Sequence, residues 1–365
     1  MWLPSKGLAR LFVATAVVLT TIALGLGRQC SRNSGDRRVV SPRYQPVNTY
    51  LFGVCHSDFF MLDVEANKIE RFPLADSHLL KFAGCSPWQD RWGRTHLAGL
   101  WMGRSRPDKD FTNGLARYAL PSREVLDRVE MDVIPASPPC WFPDTSARIL
   151  FAGTDGRLYR FSFEDPRNPN SAADDKRSPL PLIWQSQPPA GLMRVSAPTW
   201  PSDPRLEGKI IVAVTIAEGP LIQPVLRRAS QTQLWWLQLS RDYSAIVAGA
   251  PLISKEAANS AERMVVEDLP VIATLSDGRI VLAYLACGES ETTHRLRLAP
   301  LMIQGSSNLP SVDEATAVEC SGRFLLSPPA FSGDGLWVYG VSQPSQDPVR
   351  IERFSVAEVL AGNPT

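Results

Sequence analysis

The chain of 365 residues is 44% apolar and 21% charged, with 38 Lys plus Arg against 37 Asp plus Glu and a formal net charge of +1. That composition excludes wholesale disorder, which needs low hydrophobicity and high net charge. It also lacks the basic surplus of a nucleic-acid binder. Thirty-one prolines, residues kept out of helix interiors and central strands, predict many short elements and an all-β fold.

In chain order, the first element is a membrane feature. Lys6 and Arg10 precede residues 11–27, which carry no charge, and Arg28 ends the run. Seventeen residues at about 1.5 Å each span roughly 26 Å as a helix, near the lower limit for crossing a bilayer. The expectation is a single N-terminal apolar helix within residues 1–28, a signal or membrane-anchor segment. Gly25-Leu26-Gly27 is a poorer cleavage site than an A-x-A-like one, and Cys30 lacks small residues before it, so an uncleaved single-pass anchor is favoured over a removed signal. Arg28, Arg32, Arg37, Arg38 and Arg43 outnumber Lys6 and Arg10, and that bias alone would hold the following domain in the cytoplasm. The order of basic start, apolar stretch and polar exit argues instead for the outside, periplasmic or extracellular, and that is the reading adopted. Residues 29–39 read as a polar linker and residues 40–365 as one folded domain.

That domain repeats itself. A Pro step, a turn, a strongly apolar strand and then an alternating strand recur at Pro42, Pro87, Pro139, Pro198, Pro270 and Pro329, spaced 45 to 72 residues apart. The apolar strands include 210–215 and 280–285, apolar on both faces as a sheet buried on both sides requires. The alternating strands are expected at 59–64, 115–120, 157–163, 234–239, 294–299 and 350–356. Fourth strands are expected at 68–72 and 181–185, whereas 354–360 shows none. Asp277-Gly278 and Asp334-Gly335 predict two-residue hairpins between first and second strands, with Asp155-Gly156 one hairpin later. Each proline should mark the start of an inner strand. Six units of about four strands, unable to bury both faces alone, are expected to stack radially as a six-bladed β-propeller.

The element P-x-[WF]-x-x-D before an apolar strand resembles the TolB-like (WD-repeat-like) β-propeller repeat, with its P-x-W-S-P-D-G core, over nearly all of the chain from about residue 40. Trp88, Trp141, Trp200 and Phe331 fit its aromatic position; Asp144, Asp203, Asp277 and Asp334 fit its acidic one. No copy has the whole core, and the separate N-terminal domain of TolB is absent. The resemblance implies a six-bladed propeller and no particular partner or activity. The repeat aromatics are expected to pack between blades, and Trp235-Trp236 to send one ring to each side of a strand.

Catalytic motifs are scarce. His56, His78, His96 and His294 are far apart without HExxH spacing, so neither metal nor cofactor is expected. G-x-S-x-G, GxxxxGK and GxGxxG are missing, and residues 332–337 resemble a sialidase Asp box in a single copy, a turn element in that family. Cys30, Cys55, Cys85, Cys140, Cys287 and Cys320 form no CxxC; Cys55, Cys140 and Cys287 sit by apolar strands as small hydrophobes, and disulfide pairing stays open. Asp174-Asp175 and Glu267-Asp268 are the acidic pairs that acid/base chemistry could use.

Two functions fit. The first is a membrane-tethered propeller acting as a protein-interaction or envelope scaffold module without catalysis. The alternative is a propeller-type hydrolase or lyase acting on glycans in the central channel. For the first, two long loops between second and third strands carry the candidate binding residues: Arg104, Arg106 and Lys109, then Arg227 and Arg228. Their charge suits an acidic protein partner or an anionic envelope component.

Overall fold

Strands form where the sequence alternates or runs apolar. The computed structural model describes residues 50–55, 58–73, 82–83, 88–89, 95–104, 111–120, 124–143, 147–163, 179–201, 203–217, 230–254, 264–288, 293–342 and 349–362. All lie in one unit spanning 43–365. The apolar run 11–27, the linker, Pro42 and Pro87 are outside the described residues. Among the described residues no helix is long and apolar enough to cross a membrane.

The first sheet joins β1 (Tyr50–Cys55), β2 (Asp58–Asp63) and β3 (Lys68–Pro73). The second joins β4 (Phe82–Ala83), β5 (Trp88–Gln89), β6 (Thr95–Arg104), β7 (Phe111–Leu120) and β8 (Val125–Glu130). The third holds β9 (Cys140–Trp141), β10 (Arg148–Ala152), β11 (Leu158–Ser162) and β12 (Leu180–Pro181). The largest, of 11 strands, opens with β13 (Ile183–Trp184) and the meander β14 (Leu192–Thr199), β15 (Lys209–Ala217), β16 (Ser230–Leu239) and β17 (Ala245–Pro251). After β18 (Ile253–Ser254) a second meander follows in the same sheet: β19 (Met264–Thr274), β20 (Ile280–Gly288), β21 (Arg295–Gln304) and β22 (Leu309–Asp313), with β23 (Val318–Glu319) beside β21. The last sheet is β24 (Ala330–Phe331), β25 (Trp337–Ser342) and β26 (Arg350–Ser355). Where no fourth strand was legible, a five-residue helix follows, α1 (Val356–Leu360), its first turn capped by Ser355.

The all-β expectation holds, and the alternating segments all become strands. In the central strands, side chains on the two faces feed different cores. Ile210, Val212 and Val214 join Leu150 and Leu158 of the third sheet, while Ile211 and Ala213 join Leu282 and Tyr284 of the following meander. Trp235 and Trp236 divide in the same way. Further cores join Leu100 and Leu115 to Trp141 and Phe151, and Ala283 and Leu285 to Phe331 and Phe354. Leu51, Phe60 and Leu62 of the first sheet pack on Ala330 and Val341 of the last. There the Gly333 N–H also donates to the Glu65 carboxylate. Each aliphatic chain so enclosed contributes roughly 1.5–3 kcal/mol.

Three expectations need correction. The Asp-Gly hairpins are longer than two residues. Leu275 and Arg279 close one loop (Leu275 N–H to Arg279 O, 2.7 Å) around Gly278 at φ +83; this is the turn-plus-bulge hairpin, which needs only one left-handed residue. In all three turns the Asp Oδ1 accepts from the N–H two residues on: Asp155 from Arg157, Asp277 from Arg279 and Asp334 from Leu336. Second, 181–185 is not one fourth strand. Leu180–Pro181 pairs with β11, whereas Ile183–Trp184 crosses to lie parallel to β17 of the next meander. The same crossing recurs when β18 leaves β17 to lie parallel to β22. Third, Pro139 and Pro329 directly precede β9 and β24, but Pro198 and Pro270 sit inside β14 and β19. Both strands slip register there, between Ser196 and Thr199 and between Asp268 and Val271. A bulge lifts a proline out of the ladder, so the missing N–H costs no pairing.

Arginines tie successive meanders at their turns. Arg160 donates to Asp242 O at 3.0 Å, and Arg205 donates to Gly278 O at 3.2 Å while gripping Asp203 at 2.7 Å. The Arg205 hydrogen bonds hold the Asp203 carboxyl below its ordinary range. Replacing Asp203 with Ala should cost about 1.5–3 kcal/mol, the scale for hydrogen bonds to charged groups. The contribution should be complete above pH ~4, the unfolded-state value, and fade as pH falls through the depressed folded-state value. Urea melts of both chains at pH 7 and pH 3 check it; an equal gap at both pH values would refute the ion-pair account.

Candidate functional site

The first strands of successive meanders converge on one recess. It is lined by Pro138, Pro139, Cys140, Ala197, Pro198, Thr199, Leu269, Pro270, Val271 and Pro328, around an empty volume of about 360 Å³ that includes its open mouth. Three marker prolines of the repeat therefore meet here, with Pro328 in place of Pro329. The lining is proline ring, aliphatic chain and one thiol, and burial pushes the Cys140 thiol far above its ordinary range. A thiol so held stays protonated and is a packing group rather than a nucleophile.

Two lining residues are strained. Ala197 has φ +47 and Leu269 φ +52, the left-handed region that residues with a Cβ rarely adopt, and each directly precedes a proline. The two bulges are equivalent, with Ser196-Ala197-Pro198-Thr199 matching Asp268-Leu269-Pro270-Val271. Sequence reasoning missed them, because nothing in Ala-Pro or Leu-Pro announces a left-handed residue.

The Glu267-Asp268 pair is divided by the strand that carries it. Glu267 lies opposite Ala286 and Asp268 opposite Leu285, on alternate faces of β19. Glu267 is 2% exposed and accepts from the Leu234 N–H of the preceding meander at 3.2 Å. Half-buried Asp268 accepts from the Leu269 N–H at 2.8 Å. Burial raises its pKa, opposed by that bond and by the charges of Arg194 and His294. Burial lowers the His294 pKa, opposed by Asp268. Adjacent carboxylates on opposite faces cannot share one substrate atom, so this pair is no acid/base dyad. Asp174-Asp175 lies outside the described residues, and among the described residues no cluster of three metal-ligating side chains occurs.

Of the basic candidates, Arg104 closes β6, while Arg106, Lys109, Arg227 and Arg228 lie outside the described residues. The loops that hold them join β6 to β7 and β15 to β16, both second-to-third connections of a meander. Strands of a meander alternate in direction, so such loops leave the same end of a sheet as the connections to the next meander. Those connections, or the strand that ends them, carry exposed apolar side chains: Ile134 at 47%, Met193 at 54% and Leu326 at 55%. Ile134 and Met193 flank one turn, for Thr154 N–H donates to Ile134 O at 2.8 Å and Val195 N–H to Gly156 O at 2.9 Å. Their only sequence signal was a large apolar residue between strands. Cys140 and Cys287 are buried free thiols, as their apolar neighbours suggested, and Cys320 is a buried free thiol as well.

Meander after meander, stacked face to face around first strands that meet at one recess, defines a β-propeller. No family model matches the chain, and no curated protein matches it. Among solved structures it is similar to TolB from Acinetobacter baumannii, 11% identical with a TM-score of 0.46, covering 85% of this chain and 62% of that one. It thus spans less than two thirds of that TolB. It is similar also to the endo-arabinase from Bacteroides thetaiotaomicron, 10% identical with a TM-score of 0.37, covering 86% and 95%. A third likeness is to the Myceliophteria thermophila Cps50 (Swd1) β-propeller domain, 10% identical with a TM-score of 0.37, covering 85% and 86%.

Proposed function

We propose that this chain is a six-bladed β-propeller that works as a binding module without catalysis. It is tethered to a membrane through residues 11–27, with the propeller outside the cytoplasm. The observation that carries this reading is the lining of the recess. Catalysis in a propeller needs several ionisable groups converging on the place where the first strands meet, and here prolines and aliphatic chains converge instead. The divided Glu267-Asp268 pair weighs against the glycan hydrolase or lyase alternative in the same way. The six-blade count is supported by the six Pro-step units and by the packing of the first sheet on the last.

The binding end is the one that carries the second-to-third loops. Its basic residues Arg104, Arg106, Lys109, Arg227 and Arg228 would steer an anionic partner, an acidic protein surface or a phosphate-bearing envelope component. Ile134, Met193 and Leu326 would supply apolar contact. The test is crosslinking of the full-length chain in its native membrane, compared with a variant in which Arg104, Arg106, Arg227 and Arg228 are Ser. Recovery of the main crosslinked partner should fall at least about tenfold, and its salt dependence should flatten. Unchanged recovery with unchanged salt dependence would overturn the reading.

A further inference from the structure

The two strained bulges on the recess wall differ in one respect. In β14 the residue before the left-handed Ala197 is Ser196, whose hydroxyl donates across the pair to Ala213 O at 3.5 Å. In β19 the residue before the left-handed Leu269 is Asp268, whose Oδ1 accepts from the Leu269 N–H itself at 2.8 Å. The first device is neutral at every pH. The second depends on a carboxylate, because an ionised acceptor binds an N–H about twice as strongly as a neutral one.

We propose that Asp268 is a proton-operated clasp on one wall of the recess: ionised, it pins Leu269 in the left-handed conformation that shapes the wall, and on taking up a proton it lets that wall relax. A leucine before a proline disfavours this conformation, so it persists only while something over-determines it, and the Asp268 bond is the contact aimed at the strained residue. Two ionisable groups face the carboxylate, Arg194 from β14 and His294 just ahead of β21, and each in its charged form favours the ionised carboxylate. Burial opposes them, which brings the switching point above the ordinary aspartate range. Glu267, the other acid of the pair, is on the opposite face and bonded to Leu234. Leu269, Pro270 and Val271 all line the recess, so the clasp alters the space there. The device stands independently of the partner proposed above.

The equivalent bulge in β14 is a built-in control. The full-length chain, labelled with ¹⁵N-leucine and ¹⁵N-alanine, is titrated from pH 7 to pH 3 while the Leu269 and Ala197 amide signals are followed. The Leu269 amide proton should move upfield as a single-proton transition centred above the ordinary aspartate range, and the Ala197 amide should stay flat. Asp268→Asn, which keeps an acceptor and removes the charge, should flatten the Leu269 transition. Arg194→Gln should leave the fold intact and move the midpoint up, since a positive neighbour is lost. A flat Leu269 signal, an Ala197 signal that tracks it, a transition that survives in Asp268→Asn, or a midpoint unmoved by Arg194→Gln would each overturn the clasp. Should Asp268→Asn fail to fold, the Arg194→Gln midpoint decides alone.

Discussion

Replacing Trp141 with alanine should lower stability by about 3–5 kcal/mol, the range for emptying a buried aromatic site. Trp141 is 0% exposed and packs beside Phe163, with ring centroids 5.7 Å apart. It shares a core with Leu100 and Leu115 of the preceding sheet as well as Phe151 of its own. The loss would therefore fall on the contact between two sheets. Urea denaturation followed by tryptophan emission should show the midpoint moving down. A loss below about 1 kcal/mol, the level of an ordinary surface change, would mean that the aromatic of this repeat is not a packing element.

The second large effect is expected at Gly156. Its φ is +81, and a Cβ placed there would lie 2.4 Å from the Met193 carbonyl oxygen, a backbone atom that cannot swing aside. Gly156→Val should cost about 3–5 kcal/mol, combining a strained left-handed β-branched residue with a steric clash. The Gly278 turn offers the contrast. It has a similar φ of +83 with nothing within 4 Å of an added Cβ, so Gly278→Val should cost only the strain, about 1–3 kcal/mol. Calorimetry of the two variants side by side separates conformational strain from the clash between neighbouring sheets. Equal losses would remove the Met193 contact from the account.

What was legible in the sequence follows a physical division. Strand existence is local: the alternation of 234–239 and the apolar run 280–285 announce a half-buried and a doubly buried strand, and β16 and β20 form there. The split of Trp235 and Trp236 between two cores follows from the strand period alone. Pairing partners are not local. Residues 181–185 read as one strand because nothing in them encodes the presence of β17, whose open edge takes Ile183 and Trp184. The left-handed Ala197 and Leu269 were invisible for a related reason. Their conformation is imposed by the register of flanking strands against the intrinsic preference of both residues. The site divides likewise. The marker prolines foretold a meeting point of first strands, whereas the separation of Glu267 from Asp268 could be read only once their register was known.

The crossings of β12 to β13 and of β17 to β18 have a consequence for how such a chain could grow or shrink by whole repeats. The periodic unit seen in the sequence begins at the Pro step, but the last few residues of one unit form the outermost strand of the next. The two periods are out of phase. A duplication or deletion cut at the prolines would carry Ile183–Trp184 or Ile253–Ser254 away from, or into, a sheet whose rim they complete. A cut just before those segments would move a sheet together with the strand that completes its rim. A fragment spanning 182–251 therefore carries its own rim strand, whereas one spanning 198–269 leaves Ile183–Trp184 behind and exposes the β17 edge to edge-to-edge association.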